Sequence, residues 1–301
     1  MTTSRFALPG SRVRIGASDL KISMVYDYVR WEEKSIIEAA KRKNVELQLV
    51  NPTDLYFDLN DNGLKSKFGD VVLQRCVSYF RNLHLTALLE SKGLKVVNCF
   101  NAILTAGNKL FCTLKLMNAG VPMPKTMVSF STKGSLRALD ELGYPAIMKP
   151  TIGSWGRLIS LVKDSDSAQA ICEHREHLSP LYQIYYLQEL VKRPPRDIRC
   201  FVIGDRAVAA IYRVSTTGDW RTNTARGAKA VNCPITNELE DLCVKAAKAI
   251  GDGIFGVDCM ESPDGLVVHE VNHTIEFKNT VPATGVDIPG LIIDYLMEVA
   301  K

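Results

Sequence analysis

The segment "GVDCMESPDGLVVHEVN" holds three oxygen-bearing side chains whose spacing suits a divalent cation. Ser262-Pro263-Asp264-Gly265 is a turn signal, so two strands meet there as a hairpin. The hairpin brings Asp258 beside Glu270 and Asn272, and the last two, two residues apart, share one strand face. Mg²⁺ takes few protein oxygens and fills its remaining positions with water and phosphate. Val257, Val268 and Val271 argue that the strands are buried, where a carboxylate pair needs a cation. A solvated hairpin with its polar groups outward is the competing interpretation.

Three further segments suit a polyphosphate. In "IMKPTIGSWGR", Lys149 ends an apolar strand, and Gly153 and Gly156 bracket Ser154 and Trp155. Such a loop lets backbone N–H groups close over phosphate while the lysine supplies a point charge; an ordinary hairpin with a snorkelling lysine is the alternative. In "YLQELVKRPPRDIRCFVIG", Gln188, Glu189 and Val191 close a strand before a proline elbow. A strand end there can read an adenine edge, and Asp197 can accept from ribose hydroxyls; a rim of mixed charge explains the same residues. Around "DWRTNTARGAKA", Arg213, Arg221, Asn223 and Arg226 offer planar, permanently charged forks for phosphate or acyl-phosphate oxygens, although a solvated basic loop has the same composition.

These groups need a scaffold. Short apolar strands are expected at residues 21–26, 45–50, 69–74 and 94–97, with helices at 32–43 and 82–91 between them. Strands alternating with helices imply a parallel α/β sheet. No GxGxxG loop occurs in that block, so it is not a dinucleotide site. After a helix at 109–119 the pattern changes. Strands at 146–149, 158–162, 184–191, 198–203 and 208–214 follow at short intervals as an antiparallel meander. A helix at 237–250, the hairpin strands at 255–261 and 266–272, and a helix at 290–300 complete the chain. The expected divisions are a disordered extension over 1–20, an α/β lobe over 21–106, a central α+β lobe over 107–184 and a C-terminal α+β lobe over 185–301 with the metal site.

The chain has 301 residues, 46% of them apolar and 23% charged, which is an ordinary globular balance. No apolar run reaches the roughly 20 residues that span a bilayer, and the first twenty residues lack a signal-peptide core. The eight cysteines are scattered, with no CxxC and no zinc spacing, which points to a reducing cytoplasm. A net charge of +4 is too small and too evenly spread to argue for nucleic acid.

Lys109, Lys149, "GSWGR", "QELV", "DIR", "TNTARG" and the Asp258/Glu270/Asn272 triplet together resemble the ATP-grasp superfamily. "TIGSWGRL", "DIRCFVIGDRAVAAIYR" and "HEVNHTIEFKNTVPATGVDIPG" look like its LysX-type branch, which joins α-aminoadipate to a small acidic carrier protein. The resemblance runs from about residue 21 to the C-terminus. It implies the ATP-grasp fold, an N-terminal open parallel-sheet lobe followed by two lobes enclosing ATP. It also implies ATP and Mg²⁺, an acyl phosphate on the carrier's C-terminal glutamate side chain, and a homo-oligomer without nucleic acid or membrane partners. Carried over by motif, Lys109, Lys149, Gly153, Ser154, Trp155, Gly156, Arg157, Gln188, Glu189, Leu190, Val191, Asp197, Arg199, Arg213 and Asn223 meet ATP. Asp258, Glu270 and Asn272 hold the metal, while Arg213 and Arg226 act on the transferred phosphate. Asn279 and Thr280, with Thr284 and Gly285, select the amino acid; the glutamate-using sister branch carries Gly-Phe at the first pair. The alternatives are the same chemistry on glutamate, another glutamate-adding ligase, or a nucleotide-binding regulator without activity.

Overall fold

The computed structural model describes residues 20–60, 63–153, 156–216 and 227–301, with Lys65 described by its backbone alone. The extension expected over 1–20 lies outside the described residues except for Leu20. The chain groups into two units, residues 1–100 with 287–301, and residues 101–286.

In the first unit, β1 (Ile22–Val25), β2 (Leu47–Val50), β3 (Val71–Gln74) and β4 (Lys95–Val97) form a parallel sheet in the order β2-β1-β3-β4. Parallel neighbours require crossovers, here built around helices Trp31–Arg42 and Tyr79–Ser91. Every residue of β1 and β3 is buried, as in sheets covered on both faces. Gly69, at φ +81°, follows from close approach: a Cβ there would lie 2.5 Å from the Lys21 carbonyl oxygen. The closing helix Ile288–Ala300 packs on Trp31–Arg42 and on this sheet. Its apolar face, with Ile288, Ile292, Ile293 and Leu296 buried, finds its partner here. The division read from sequence instead grouped it with the lobe that carries the metal triplet.

The second unit contains two antiparallel sheets. β5 (Thr126–Ser129), β6 (Ala146–Lys149), β7 (Ser160–Val162) and β8 (Tyr185–Glu189) run in the order β5-β8-β6-β7. Helices Thr132–Leu142 and Ser165–Glu176 cover them over a core of Leu139, Met148, Val162, Ala168 and Leu187. β9 (Arg196–Ile203), β10 (Arg206–Val214), β11 (Lys229–Asn232), β12 (Ile254–Ser262) and β13 (Gly265–Asn272) run in the order β11-β10-β9-β12-β13. The continuous meander expected from sequence is therefore divided. β8 joins one sheet and β9 starts the other, and the change falls at Pro194-Pro195, where two missing N–H groups prevent a ladder from continuing. Helix Asn237–Ile250 starts on Thr236, whose hydroxyl accepts from the Leu239 N–H at 3.2 Å. It buries Leu239, Leu242, Cys243 and Ala246 against the second sheet.

Candidate active site

Strand alternation divides the second sheet into an apolar face and a charged one. Asp197 pairs in register with Arg213, Arg199 with Asp258, and Asp258 with Glu270. Paired residues share a face, as do residues two apart. One face of four neighbouring strands therefore carries Arg213, Asp197, Arg199, Asp258, Glu270 and Asn272. The intervening residues Ile198, Cys200, Val257 and Val271 are buried on the other side. Between the Asp258–Glu270 and Cys259–Val268 pairs the register slips, leaving His269 as an extra residue in a bulge.

The charged face is closely bonded. Arg199 donates Nε and Nη2 to the two Asp258 oxygens, both at 2.7 Å. Arg213 donates Nε to Asp197 Oδ1 at 2.6 Å and Nη2 to Asp197 Oδ2 at 2.8 Å. The same Nη2 lies 3.1 Å from Asp258 Oδ2. Burial works against the charge on Arg213, but Asp258 and Asp197 outweigh it and raise its pKa. Burial likewise pushes the Asp258 carboxyl up, and Arg199 and Arg213 reverse this, holding it well below the usual carboxylate range. Asp197, expected at a ribose, has both oxygens engaged by Arg213 and is buried; in this structure it orients the arginine.

The sheet β5-β8-β6-β7 and the helix Lys109–Asn118 supply two lysines. Asn108 caps that helix, accepting from the Leu110 N–H at 3.0 Å, and the Lys109 N–H donates to Thr151 O at 2.7 Å. The helix start is thereby tied to the start of the glycine loop. Lys109 Nζ donates to Gly153 O at 2.8 Å and pairs with Glu270 Oε1 at 3.1 Å. Lys149 ends β6 and donates to Gln188 Oε1 at 2.6 Å, on the neighbouring β8. Burial first, and Lys109 among the nearby charges, bring Lys149 down to about 8. Glu189 accepts from the Lys125 N–H at 2.7 Å, and Leu190 stands partly exposed at the strand end with Val191. Gly156 is buried at φ +65° and Arg157 is exposed. Ser154, Trp155, Arg221, Asn223 and Arg226 lie outside the described residues.

Asp258, Glu270 and Asn272 present oxygens from adjacent strands on one face, which fits the small oxygen donor set of Mg²⁺. Asn272 Nδ2 reaches Asp258 Oδ2 only at a long 3.4 Å, so the two side chains are neighbours without a strong mutual bond. Lys109, Lys149, Arg199 and Arg213 supply four positive charges against three negative ones from Asp197, Asp258 and Glu270. The surplus is positive, as a polyanion requires.

Two groups of residues depart from the simplest expectation. His269 lies beside the charged face, buried, with neither ring nitrogen hydrogen-bonded among the described residues. Burial, then the Lys149 ammonium, hold its pKa down at about 4, so the ring is neutral. Sequence reasoning passed over it because a bulge has no signature in a strand pattern. Arg193 and Arg196, which flank the proline elbow, are committed to local partners. Arg196 binds both Glu261 oxygens at 2.7 Å and lies 3.9 Å over the Tyr212 ring, and Arg193 donates to the Arg196 carbonyl. The segment expected to select the amino acid forms the short helix Thr280–Thr284, packed on β10 and β11. Asn279 precedes it and is exposed, Thr280 is buried, the Thr284 hydroxyl donates to Thr280 O at 2.9 Å, and Gly285 closes it at φ +73°.

A parallel-sheet unit followed by two antiparallel sheets, one bearing a glycine loop and the other this acidic and basic face, is the ATP-grasp architecture. Among solved structures it superposes on a RimK domain ATP-grasp protein from Sphaerobacter thermophilus with a TM-score of 0.76 and 26% identity, covering 92% of this chain and 99% of that one. Residues 106–296 match the RimK-like ATP-grasp domain and residues 22–105 the LysX preATP-grasp domain, and the chain belongs to this RimK-like ATP-grasp family. It is 36% identical to the α-aminoadipate–LysW ligase LysX of Sulfurisphaera tokodaii, over 93% of this chain and 99% of the relative. It is 32% identical to the glutamate–LysW ligase ArgX of the same organism, over 93% of this chain and 99% of that relative.

Proposed function

We propose that this ATP-grasp ligase joins the α-amino group of α-aminoadipate to the side-chain carboxylate of the C-terminal glutamate of a small acidic LysW-like carrier, within lysine biosynthesis. ATP phosphorylates the carboxylate, the amine attacks the resulting acyl phosphate, and phosphate and ADP leave. The observation that carries this reading is the continuous charged face from Arg213 through Asp197, Arg199 and Asp258 to Glu270, with Lys109 and Lys149 beside it. Such chemistry requires positioning and charge neutralisation more than covalent help. Lys109 and Lys149 neutralise phosphate oxygens, and Arg213, fixed by Asp197, receives the charge that develops on the transferred phosphoryl group. Gly153, Gly156 and Arg157 line the phosphates; Gln188 to Val191 meet the adenine. Asp258, Glu270 and Asn272 would hold Mg²⁺, which would supply positive charge to neutralise phosphate oxygens. The eight cysteines stand free, which supports a reducing cytoplasm.

A second reading, the same chemistry on glutamate, has its support in the similarity to ArgX. One methylene separates the two amino acids, worth about 1–3 kcal/mol in a pocket. The deciding experiment measures phosphate release with purified carrier and each amino acid in turn. Release that needs both carrier and α-aminoadipate supports the first reading. Release with glutamate alone replaces it, and none with either rejects the carrier assignment.

A further inference from the structure

Arg175 lies near the C-terminal end of the helix Ser165–Glu176 and is only 4% exposed. No carboxylate pairs with it among the described residues. Its Nη2 donates to the carbonyl of Leu158 at 2.8 Å, and its Nη1 is buried without a partner. A guanidinium without a counter-ion is an expensive group to bury. Leu158 is itself unusual: a non-glycine residue at φ +56°, where its Cβ crowds the backbone. Its side chain is 53% exposed, so packing does not hold it in that conformation. Among the described residues, the side-chain contact on its backbone is the arginine's hydrogen bond to its carbonyl. A cavity of about 310 Å³, lined by Leu158, Ile171, Arg175 and Tyr182 among others, leaves room for Leu158 to relax once that contact is cut.

Leu158 follows Gly156 and Arg157 directly. The chain thus leaves the glycine loop through two left-handed residues, Gly156 at +65° and Leu158 at +56°, and only the second needs an external anchor. We propose that Arg175 is a positioning residue for nucleotide binding. By fixing the Leu158 carbonyl it sets the exit of the glycine loop, and so the direction in which Gly156 and Arg157 face phosphate. The proposal rests on the reading above that places these two residues at ATP.

The test measures the Kd for ADP with Mg²⁺ by titration calorimetry and the KM and kcat for ATP, on the whole enzyme. Arg175→Met keeps the stem and removes the donors. It should weaken ADP about tenfold and raise KM for ATP alike, the size expected for losing one charged hydrogen bond, with kcat at saturating ATP little changed. Leu158→Gly added to Arg175→Met should restore most of the affinity, because glycine holds a positive φ unaided. A merely structural arginine predicts a loss that follows the melting temperature and that glycine does not reverse; that result overturns the proposal. Unchanged affinity in folded Arg175→Met overturns it too. Should Arg175→Met not fold, Arg175→Lys, which keeps the charge and one donor, should weaken ADP about threefold, again reversed by Leu158→Gly; no weakening, or none reversed, has the same adverse meaning. Arg157→Met runs in parallel. If it weakens ADP while Arg175→Met does not, only the positioning role fails; if neither does, the phosphate-loop reading fails with it.

Discussion

Arg199 and Asp258 face each other on adjacent strands and share two hydrogen bonds of 2.7 Å. The carboxylate expected to bind a cation is therefore already held ionised by a fork-shaped partner. On the proposed reading, a metal held here would share the Asp258 oxygens with Arg199, whose fork could pair with phosphate instead.

This predicts a contrast between two metal-ligand variants. Asp258→Asn deprives Arg199 of its ionic partner and Arg213, 2% exposed, of one of two. It should cost about 3 kcal/mol or more, because buried charges are left undercompensated. Glu270→Ala removes the Lys109 pair at 3.1 Å and a charge near Lys149, and should leave a folded protein. Both should lose ligation by about a hundredfold or more at saturating Mg²⁺, since the bridging charge is no longer held. Thermal melting separates the two variants, and phosphate release measures the common loss. Wild-type turnover in Glu270→Ala would remove the metal assignment.

Lys149 makes a pH prediction with a definite sign. Burial, its largest influence, brings its pKa down to about 8. Between there and the ordinary lysine range, about 10.4, the unfolded chain holds a proton that the folded chain has lost. Unfolding then takes up a proton, so this residue's contribution makes the fold more stable as pH rises through that window, by about 3 kcal/mol at most. Nucleotide binding moves in the opposite direction, because phosphate needs the ammonium. KM for ATP should rise above about pH 8, by up to tenfold per unit, and Arg at position 149 should flatten the rise. A KM profile from about pH 6 to about pH 10 checks both. A flat profile in the native enzyme would mean that Lys149 does not meet phosphate.

Much of this was legible in sequence for local reasons. The hairpin turn at Ser262–Gly265 sets β13 beside β12, and the two-residue spacing puts Glu270 and Asn272 on one face; the pairing of Glu270 with Asp258 itself needs the one-residue bulge at His269. Helix Asn237–Ile250 matches its expected bounds, since its cap and apolar stripe are written in consecutive residues. What could not be read was tertiary. Nothing local says that Ile288–Ala300 packs on the first unit, that β8 and β9 belong to different sheets, or that Asp197 serves Arg213. The bulge that leaves His269 out of register and sets Glu270 opposite Asp258 depends on strand partners. Helices Thr132–Leu142 and Ser165–Glu176 were missed because polar residues crowd their first turns, although Ser131 and Asp164 cap them.

The carrier contact should show only modest charge steering from the arginine-rich elbow. Arg196 is bound to Glu261 and stacked on Tyr212, and Arg199 is bound to Asp258. Arg196→Gln should therefore change the apparent affinity for an acidic carrier by less than about twofold at moderate salt, because its charge is already paired with Glu261 in a half-buried contact. Apparent carrier affinity across a salt series, in wild type and variant, reads this directly. A marked loss of salt dependence in Arg196→Gln would show that this arginine turns outward to meet the carrier.

Asn279 and Thr280, expected from the sequence to select the amino acid, give a prediction that the two residues divide between them. Discrimination between α-aminoadipate and glutamate must act on the distal carboxylate, because the α-groups are identical. Asn279 is exposed at the start of the short helix, with helical φ −85° and ψ −17°, and can turn toward a ligand at little cost. Thr280 is 1% exposed, and its backbone is bonded on both sides, donating to Phe277 O at 3.0 Å and accepting from Thr284 at 2.9 Å. A ring at position 280 overpacks that place and should cost about 1–3 kcal/mol of stability. The Gly-Phe double substitution therefore mixes two effects, which single variants separate. Asn279→Gly should stay folded and lower kcat/KM for α-aminoadipate about tenfold, with glutamate affected less, if the side-chain amide binds the longer carboxylate. Thr280→Phe should shift the same ratio further toward glutamate, with a lower melting temperature, because the ring shortens the pocket. The measurement is the ratio of the two kcat/KM values beside a thermal melt for each variant. If Asn279→Gly and Thr280→Phe both fold and leave the ratio at the wild-type value, the pair shapes a turn beside Pro282 and the choice of amino acid is made by other residues.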